Sequence, residues 1–224
     1  MLFEARDLIA DMPADPTPVR VLSTASLRVD GGEIVDVVGP SGSGKTTLLR
    51  VLARLLPGAT GSLTLDSVPA EKYDPERWRS LVALLPQKPA IVPGDVRANL
   101  ILPWTLKVRH GEPRPSDSTL VESLGRVGLA DVALDRDASR LSVGQTARVA
   151  LLRVLLTSPR VLLLDEPDAA LDDASTTAVT ELTREFAAAG GAVVRVRHHR
   201  TDGLAARRLR LEAGRLIAAE EATA

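Results

Sequence analysis

The order of hydrophobic and polar positions along the chain predicts strands and helices that alternate, and no segment repeats at a fixed spacing. Ser26–Val29 alternates between apolar and polar residues as a half-buried strand does, and Ser62–Asp66 is predicted to be a second antiparallel strand. Ile34–Val38 is instead a mostly apolar run, which is typical of a buried strand. The N-terminal part therefore predicts an antiparallel start that leads into a buried sheet.

Three further apolar runs predict more strands of the buried sheet, and they lie at Leu81–Leu85, Val161–Leu164 and Ala192–Val196. A helix is predicted directly after Gly44, because four leucines fall on one stripe and the pair Pro57–Gly58 follows them. The leucines are Leu48, Leu52, Leu55 and Leu56. Strands that alternate with helices in this way favour an α/β fold.

Between Lys88 and Leu155 the apolar period is helical, with one break at the polar loop Gly111–Ser118. Ser116 is predicted to cap the helix that follows this loop, and Gly128 is predicted to end it. We therefore interpret the chain as a single domain whose core is interrupted by a helical subdomain. The core takes about residues 1–88 and 156–224, and the subdomain takes about residues 89–155.

Composition excludes several classes of protein. Among 224 residues, 28 Lys and Arg nearly balance 29 Asp and Glu, so binding to nucleic acid through phosphate neutralisation is disfavoured. The lack of cysteine excludes disulfides, thiolate metal sites and a cysteine nucleophile. No apolar run approaches the roughly 20 residues that cross a bilayer, and the N-terminus does not resemble a signal peptide. We expect a cytoplasmic protein, to which another chain supplies any membrane-spanning part.

A glycine-rich motif follows the predicted buried strand and opens the predicted helix. Gly39–Thr46 reads GPSGSGKT, which matches the phosphate-binding pattern G-x-x-x-x-G-K-[ST]. Glycines let backbone N–H groups approach phosphate oxygens, while Lys45 is placed for the β- and γ-phosphates and Thr46 for Mg²⁺. The predicted nucleotide contacts are Gly39, Pro40, Ser41, Gly42, Ser43, Gly44, Lys45, Thr46 and Thr47.

Two carboxylates end another predicted strand, because Val161–Pro167 reads VLLLDEP. Beside a phosphate loop, Asp165 is predicted to hold Mg²⁺, and Glu166 is predicted to polarise the water that attacks the γ-phosphate. A third carboxylate, Asp36, lies inside the strand Ile34–Val38. We interpret Asp36 as a hydrogen-bonded structural residue rather than a catalytic one.

These motifs and four others resemble the ATP-binding subunits of ABC transporters, from about Gly31 to His198. Leu141–Gln145 reads LSVGQ, which resembles the family signature LSGGQ, and its serine lies 23 residues before Asp165. The remaining matches are Gln87 with the Q-loop glutamine, Ala170–Asp172 with the D-loop and His198 with the switch histidine.

The resemblance implies an ABC-type P-loop NTPase core that carries an antiparallel β subdomain and a helical subdomain. It implies ATP hydrolysis with Mg²⁺ by a homodimer in the ATP-bound state. Each ATP would then be closed by Ser142, Gly144 and Gln145 of the other copy. The implied catalytic residues are Glu166, His198, Lys45 and Gln87, and the implied Mg²⁺ ligands are Thr46, Gln87 and Asp165.

Three departures from the family pattern affect the site. Val143 replaces the first signature glycine, which adds a Cβ near the other subunit's γ-phosphate, and a positive φ would strain it. No aromatic residue occupies Ile9–Arg20, where the family usually stacks a tyrosine on adenine, so we expect weak base discrimination. Arg197 and His199 flank His198 in place of the usual Thr and Asp, which leaves either histidine as the switch residue.

The resemblance also implies a transmembrane permease as partner, which would attach the chain to the inner face of the cell membrane. A permease helix is expected to dock on the Gln87 loop and on Asp95–Leu106, where Trp104 is either a partner contact or part of the local core. Asp95–Leu106 further resembles small bacterial ATPases of iron-export systems, and helix packing shared with another ABC branch explains this match almost as well.

Two other functions remain open at this point. A nucleotide-gated regulator of a membrane complex, without solute transport, would use the same residues. A soluble ABC ATPase of DNA repair or translation usually needs a long coiled coil or two ATPase halves, and neither fits in 224 residues.

Overall fold

A computed structural model describes residues 1–169, 171–197 and 202–219 of the chain. Its strands are β1 Phe3–Met12, β2 Val19–Val29, β3 Ile34–Val38, β4 Thr60–Leu65, β5 Val68–Pro69, β6 Val82–Leu85, β7 Val161–Asp165, β8 Ala192–Val196, β9 Arg207–Glu212 and β10 Arg215–Ala218. Its α-helices are α1 Lys45–Leu52, α2 Pro75–Leu81, α3 Val96–Ile101, α4 Asp117–Arg126, α5 Val143–Leu155 and α6 Asp173–Ala188. Single 3₁₀ turns lie at Ala70–Lys72, Leu102–Thr105, Lys107–Arg109 and Ala138–Arg140.

The larger sheet has six strands in the order β10-β9-β3-β8-β7-β6. Strands β9, β3, β8, β7 and β6 are parallel, and β10 returns antiparallel to β9. Because the carboxyl ends of parallel strands meet at one edge, the loop after β3 and the end of β7 lie at the same edge. This edge is where the sequence places the phosphate loop and the two carboxylates.

A smaller antiparallel sheet has the order β2-β1-β4-β5. Phe3 of β1 lies opposite Val29 of β2 and opposite Leu65 of β4, and all three side chains are buried. The alternation along these strands places one apolar face against the rest of the molecule.

Each face of the larger sheet contributes to a separate hydrophobic core. One core combines side chains of both sheets with those of α1 and with Trp78, whose Nε1 donates to Leu52 O at 2.9 Å. The other core lies on the opposite face and is closed by α3, α4, α5 and α6. Burial on both faces explains why β3, β7 and β8 are mostly apolar, with Asp36 of β3 and Arg195 of β8 paired to each other.

The predicted α/β fold with an antiparallel sheet is confirmed, with corrections to individual elements. Helix α1 ends at Leu52, whereas the leucine stripe predicts that it continues through Leu56. Arg54 has φ 54°, and its guanidinium donates to Ala70 O and Tyr73 O at 2.6 and 2.9 Å. These bonds turn the chain out of the helix and leave Leu55 47% exposed.

Helices α3, α4 and α5 follow one another between β6 and β7, inside the segment predicted to be helical. The hydroxyl of Ser116 accepts from Thr119 N at 3.2 Å at the start of α4, and Gly128 has φ 67° just after its end. Both predicted helix limits are therefore confirmed, while the subdomain boundaries at residues 89 and 155 remain an interpretation. Among the described residues, no helix combines the length and the apolar character needed to cross a membrane.

Candidate nucleotide-binding site

The loop between β3 and α1 forms a phosphate cradle. Gly42 and Gly44 have φ 76° and 99°, in the left-handed region that favours glycine. Lys45 is 6% exposed, and its Nζ donates to Gly39 O and Pro40 O at 2.9 Å each. These bonds hold the ammonium group across the mouth of the loop, at the N-terminus of α1, where an anion is favoured.

Gly44 is required for packing as well as for its backbone angle. A Cβ at this position would lie 2.3 Å from Cγ1 of Val21, so a side chain here would displace Val21 or the loop. The antiparallel sheet therefore rests directly against the phosphate loop.

Two of the three predicted Mg²⁺ ligands, Thr46 and Asp165, lie together. The Thr46 hydroxyl donates to Oδ2 of Asp165 at 2.9 Å, although the residues are 119 positions apart. Asp165 is 5% exposed. Burial raises the pKa of its carboxyl, the hydrogen bond from Thr46 opposes this, and the Glu166 charge raises the pKa further. A buried carboxylate beside a hydroxyl is a suitable oxygen pair for a hard divalent cation.

Glu166 and Gln87 also lie together. Nε2 of Gln87 donates to Oε2 of Glu166 at 2.6 Å. Glu166 has φ 50°, and its N–H donates to Val196 O at 3.0 Å, which joins the turn after β7 to the end of β8. With its amide nitrogen bound to Glu166, Gln87 has only its amide oxygen to offer to a cation.

The phosphate loop, Gln87 and Glu166 line one open cavity of about 450 Å³, and Asp165 adjoins it through its hydrogen bond from Thr46. Its lining residues are Met12, Val21, Ser41, Gly42, Gly44, Lys45, Thr46, Thr47, Gln87 and Glu166. Sequence reasoning missed Met12 and Val21. They stand at the ends of β1 and β2, and only the pairing of these strands brings them beside the phosphate loop.

The signature segment forms the N-terminus of α5. The Ser142 hydroxyl accepts from Gln145 N at 3.2 Å, and the Gln145 side chain accepts from Ser142 N at 3.0 Å, which is a complete capping box. A Cβ on Gly144 would lie 2.8 Å from Oγ of Ser175 in α6. Gly144 is therefore needed for packing within its own chain.

The strain suspected at Val143 is absent. Val143 is the first residue of α5, where backbone angles are helical, so no positive φ is imposed on it. Its side chain is 69% exposed. Any effect of Val143 on activity must therefore come from contact with another molecule.

Comparison with known proteins agrees with the residues assembled here. Residues 22–169 match the family described as ABC transporter. The chain belongs to this family. It is 32% identical over 167 residues to the probable iron export ATP-binding protein FetA of Escherichia coli K12, a match that covers 75% of this chain and 72% of FetA.

One further relative and one solved structure are also similar to the chain. The chain is 37% identical over 206 residues to the hemin import ATP-binding protein HmuV of Chelativorans sp. strain BNC1, covering 88% of this chain and 76% of HmuV. A solved ATP binding subunit of an ABC transporter has a TM-score of 0.80 at 23% identity, covering 96% of this chain and 88% of that one. The chain is an ATP-binding subunit of ABC transporter type, and it is an ATPase.

The remaining family positions are partly described. Asp172 of the D-loop caps α6, because its carboxylate accepts from Ser175 N at 2.7 Å. Asp36 forms a buried ion pair with Arg195, as expected of a structural residue. Ala170, His198 and His199 lie outside the described residues, so the assignment of the switch histidine remains a prediction.

Proposed function

We propose that this chain hydrolyses ATP with Mg²⁺ to energise a transmembrane permease, and that it works as an ATP-bound homodimer at the cytoplasmic face of the membrane. The observation that carries the proposal is one cavity lined by Lys45, Thr46, Gln87 and Glu166, with Asp165 hydrogen-bonded to Thr46 and Gln87 hydrogen-bonded to Glu166. This grouping joins a phosphate cradle to a pair of cation ligands and to a candidate base.

Each group has a distinct role in the proposed reaction. Lys45 and the backbone N–H groups of the loop bind the β- and γ-phosphates and fix their orientation. Thr46 and Asp165 would hold Mg²⁺, which when bound neutralises charge on the phosphates. The Glu166 carboxylate accepts a hydrogen bond from the attacking water and orients it, and Gln87 fixes the position of that carboxylate.

A second copy is needed to close the cavity. Ser142, Gly144 and Gln145 belong to the described residues, and none of them lines the cavity of their own chain. The N–H groups at the N-terminus of α5 would instead meet the γ-phosphate held by a partner copy, where they exclude water.

A separate groove is suited to a helix of the permease. A cavity of about 500 Å³ lies between α2, β6 and the 3₁₀ turns after α3, and its lining includes Leu55 and Leu106, which are 47% and 54% exposed. Arg153 lines it too, and its buried Nη1 has no hydrogen-bond partner among the described residues. An apolar helix that presents an acceptor oxygen would satisfy both features. Trp104 is 8% exposed and belongs to the local core.

The identity of the transported substrate is a separate prediction. Iron export remains a prediction, because the names of similar proteins include a probable iron exporter and a hemin importer. The permease would recognise the solute, and this chain would supply the energy.

Transport by the assembled complex tests the proposal. The membrane protein that co-purifies with the tagged chain is reconstituted with it in vesicles, and solute movement is measured with Mg·ATP and with Mg·ADP. We expect movement with Mg·ATP alone, and we expect Glu166→Gln to abolish it. Intact ATP hydrolysis that responds to the membrane protein but moves no solute would instead support a nucleotide-gated regulator.

Leu106→Arg tests the groove separately. We expect this exposed substitution to prevent co-purification of the membrane protein while nucleotide binding persists. Val121→Arg on α4, which is also 54% exposed, is the matched control and should leave the complex intact. Equal effects of the two variants would contradict docking at this groove.

A further inference from the structure

Five charged side chains form a continuous series of ion pairs next to the nucleotide cavity. In order, they are Asp36, Arg195, Asp202, Arg197 and Asp168. They belong to β3, to β8 and the residue after it, to the loop before β9 and to the turn after β7. The series therefore connects segments that are far apart in sequence and crosses the carboxyl edge of the larger sheet.

The inner part of the series is rigidly held. Arg195 is 2% exposed and uses both sides of its guanidinium, with bonds of 2.7 and 3.2 Å to Asp36 and of 2.8 and 3.0 Å to Asp202. Planar two-point bonding of this kind fixes direction as well as distance. Asp202 further accepts from Leu204 N at 3.1 Å, so its carboxylate has a defined position.

Arg197 extends the series to the catalytic turn. Its Nη1 donates to Asp202, and its Nη2 donates to Asp168 at 2.5 Å. Its backbone N–H donates to Val37 O at 3.1 Å, which ties the residue to β3. Asp168 lies two residues after Glu166 in the same turn, in which Ala169 N donates to Glu166 O at 3.1 Å.

A buried series of ions is a poor way to gain stability, because desolvation of each charge offsets most of the attraction. Its clear physical effect is geometric, since each forked bond has one favourable arrangement. The ion pair from Arg197 to Asp168 joins the turn that carries Glu166 to the residue after β8.

We propose that Arg197 and Asp168 are positioning residues for ATP hydrolysis: their ion pair holds the turn that contains Glu166 against the end of β8. This inference rests on the proposed role of Glu166 as the group that orients the attacking water. Loss of the pair leaves the phosphate loop intact. The carboxylate of Glu166, however, is then less often placed to orient water towards the γ-phosphate. The loss therefore appears in kcat.

Asp168→Asn tests the pair, because it removes the charge and keeps the shape. We expect kcat for ATP to fall about tenfold while KM changes by less than about twofold. Arg197→Gln should act alike, and the double variant should be no slower than the slower single variant. Arg197→Lys keeps the charge and should recover part of the rate. Arg184→Gln removes the exposed pair with Glu181 on α6 and is the control that should change nothing.

A second measurement does not depend on hydrolysis. In the full chain without nucleotide, Asp168→Asn should speed amide hydrogen exchange at Ala169 and Leu171, whose N–H groups are bonded inside the turn, and leave Leu164 of β7 unchanged.

Unaltered exchange at Ala169, or additive kcat losses in the double variant, would overturn the proposal. If the wild-type chain hydrolysed no ATP, the proposed function would fail while the exchange experiment still decided whether the pair holds the turn. Asp168→Asn could also keep a normal kcat per folded molecule and lower only the urea midpoint of unfolding. The pair would then have a purely structural role.

Discussion

At the scale of single residues, the proposed reaction depends on Glu166 as the group that orients the attacking water. Glu166→Gln keeps the size of the side chain, and its amide oxygen can still accept from Gln87. We expect ATP binding to persist and hydrolysis to fall at least about a hundredfold, because an amide cannot act as a base. Calorimetric titration with ATP and steady-state phosphate release measure the two effects.

Glu181→Gln is the matched control for this variant. Glu181 lies on α6, is about half exposed and pairs only with Arg184 on the same helix among the described residues. It should retain both binding and hydrolysis. If Glu166→Gln lost ATP affinity in parallel with its rate, the residue would be a binding group and the assigned role would be wrong.

Base recognition is a second property of single residues, because Met12 lines the cavity and lies within Ile9–Arg20, where the resemblance places a stacking tyrosine. A stacked aromatic ring contributes about 1–3 kcal/mol per base, and a thioether provides less contact. We expect Met12→Tyr to tighten binding of ATP and of GTP about tenfold. Inorganic tripolyphosphate has no base, so its affinity should not change. A similar gain for tripolyphosphate would show that position 12 acts on the phosphate loop instead.

Residues whose chemistry is tied to a local motif could be predicted from the sequence. The spacing of Gly42, Gly44, Lys45 and Thr46 specifies a phosphate loop because every member lies on one turn. The partners of Asp36 and Asp165 lie 159 and 119 positions away, and sheet pairing alone brings Asp36 to Arg195. The sequence alone does not show whether Val143 has a positive φ, because this depends on where α5 begins. The structure begins α5 at Val143, so its backbone angles are helical.

At the scale of elements, strands buried on both faces were the easiest to predict. β3 and β8 have their predicted limits, because a mostly apolar run is favourably placed only where both faces are buried. β1, β9 and β10 were missed, since their charged residues interrupt the alternation. For example, Glu4 of β1 forms an ion pair with Arg28, and Arg207 of β9 forms one with Glu33. The local sequence does not reveal these pairs.

The ion-pair series that joins β3, β8 and the loop before β9 predicts a pH dependence of stability. Burial alone would raise the pKa of the Asp202 carboxyl, but the bonds and charge of Arg195 and the charge of Arg197 lower it from 3.8 to about 2. A lowered pKa gives stability that is complete above pH 4 and is lost as the pH falls through about 2. The part of the free energy of unfolding that depends on this titration is about 2 kcal/mol.

We expect Asp202→Asn to lower the free energy of unfolding at pH 6, and we expect its difference from wild type to shrink by about 2 kcal/mol between pH 4 and pH 2. Urea denaturation across this range measures the difference. Asp117→Asn removes an exposed ion pair with Arg97 and should cost little at any pH. A difference that stays constant between pH 4 and pH 2 would mean that folding does not lower the pKa of Asp202.

At the scale of the whole molecule, a single copy holds the phosphate loop and the signature segment, but its cavity contains only the former. Val143 provides a way to test where the signature acts, because it is 69% exposed and stands in the first turn of α5. An acidic residue is favourable at a helix N-terminus, so Val143→Glu should leave the monomer as stable as before. Facing the γ-phosphate of a partner copy, the same charge would repel the nucleotide and prevent closure.

We therefore expect two inactive variants to restore each other. Lys45→Ala removes the phosphate contact, and Val143→Glu blocks the signature segment. In a homodimer of either variant, both sites are therefore inactive. Random mixing gives a population in which half of the dimers are mixed, and each mixed dimer has one site with a normal Lys45 and a normal Val143. Hydrolysis should return to about a quarter of the wild-type rate if the sites act independently, which steady-state phosphate release measures. Val121→Glu on α4 is the exposed control and should remain active alone. A mixture as inactive as its components, with mixed dimers verified by differently tagged copies, would mean that the signature does not act across a dimer of this chain.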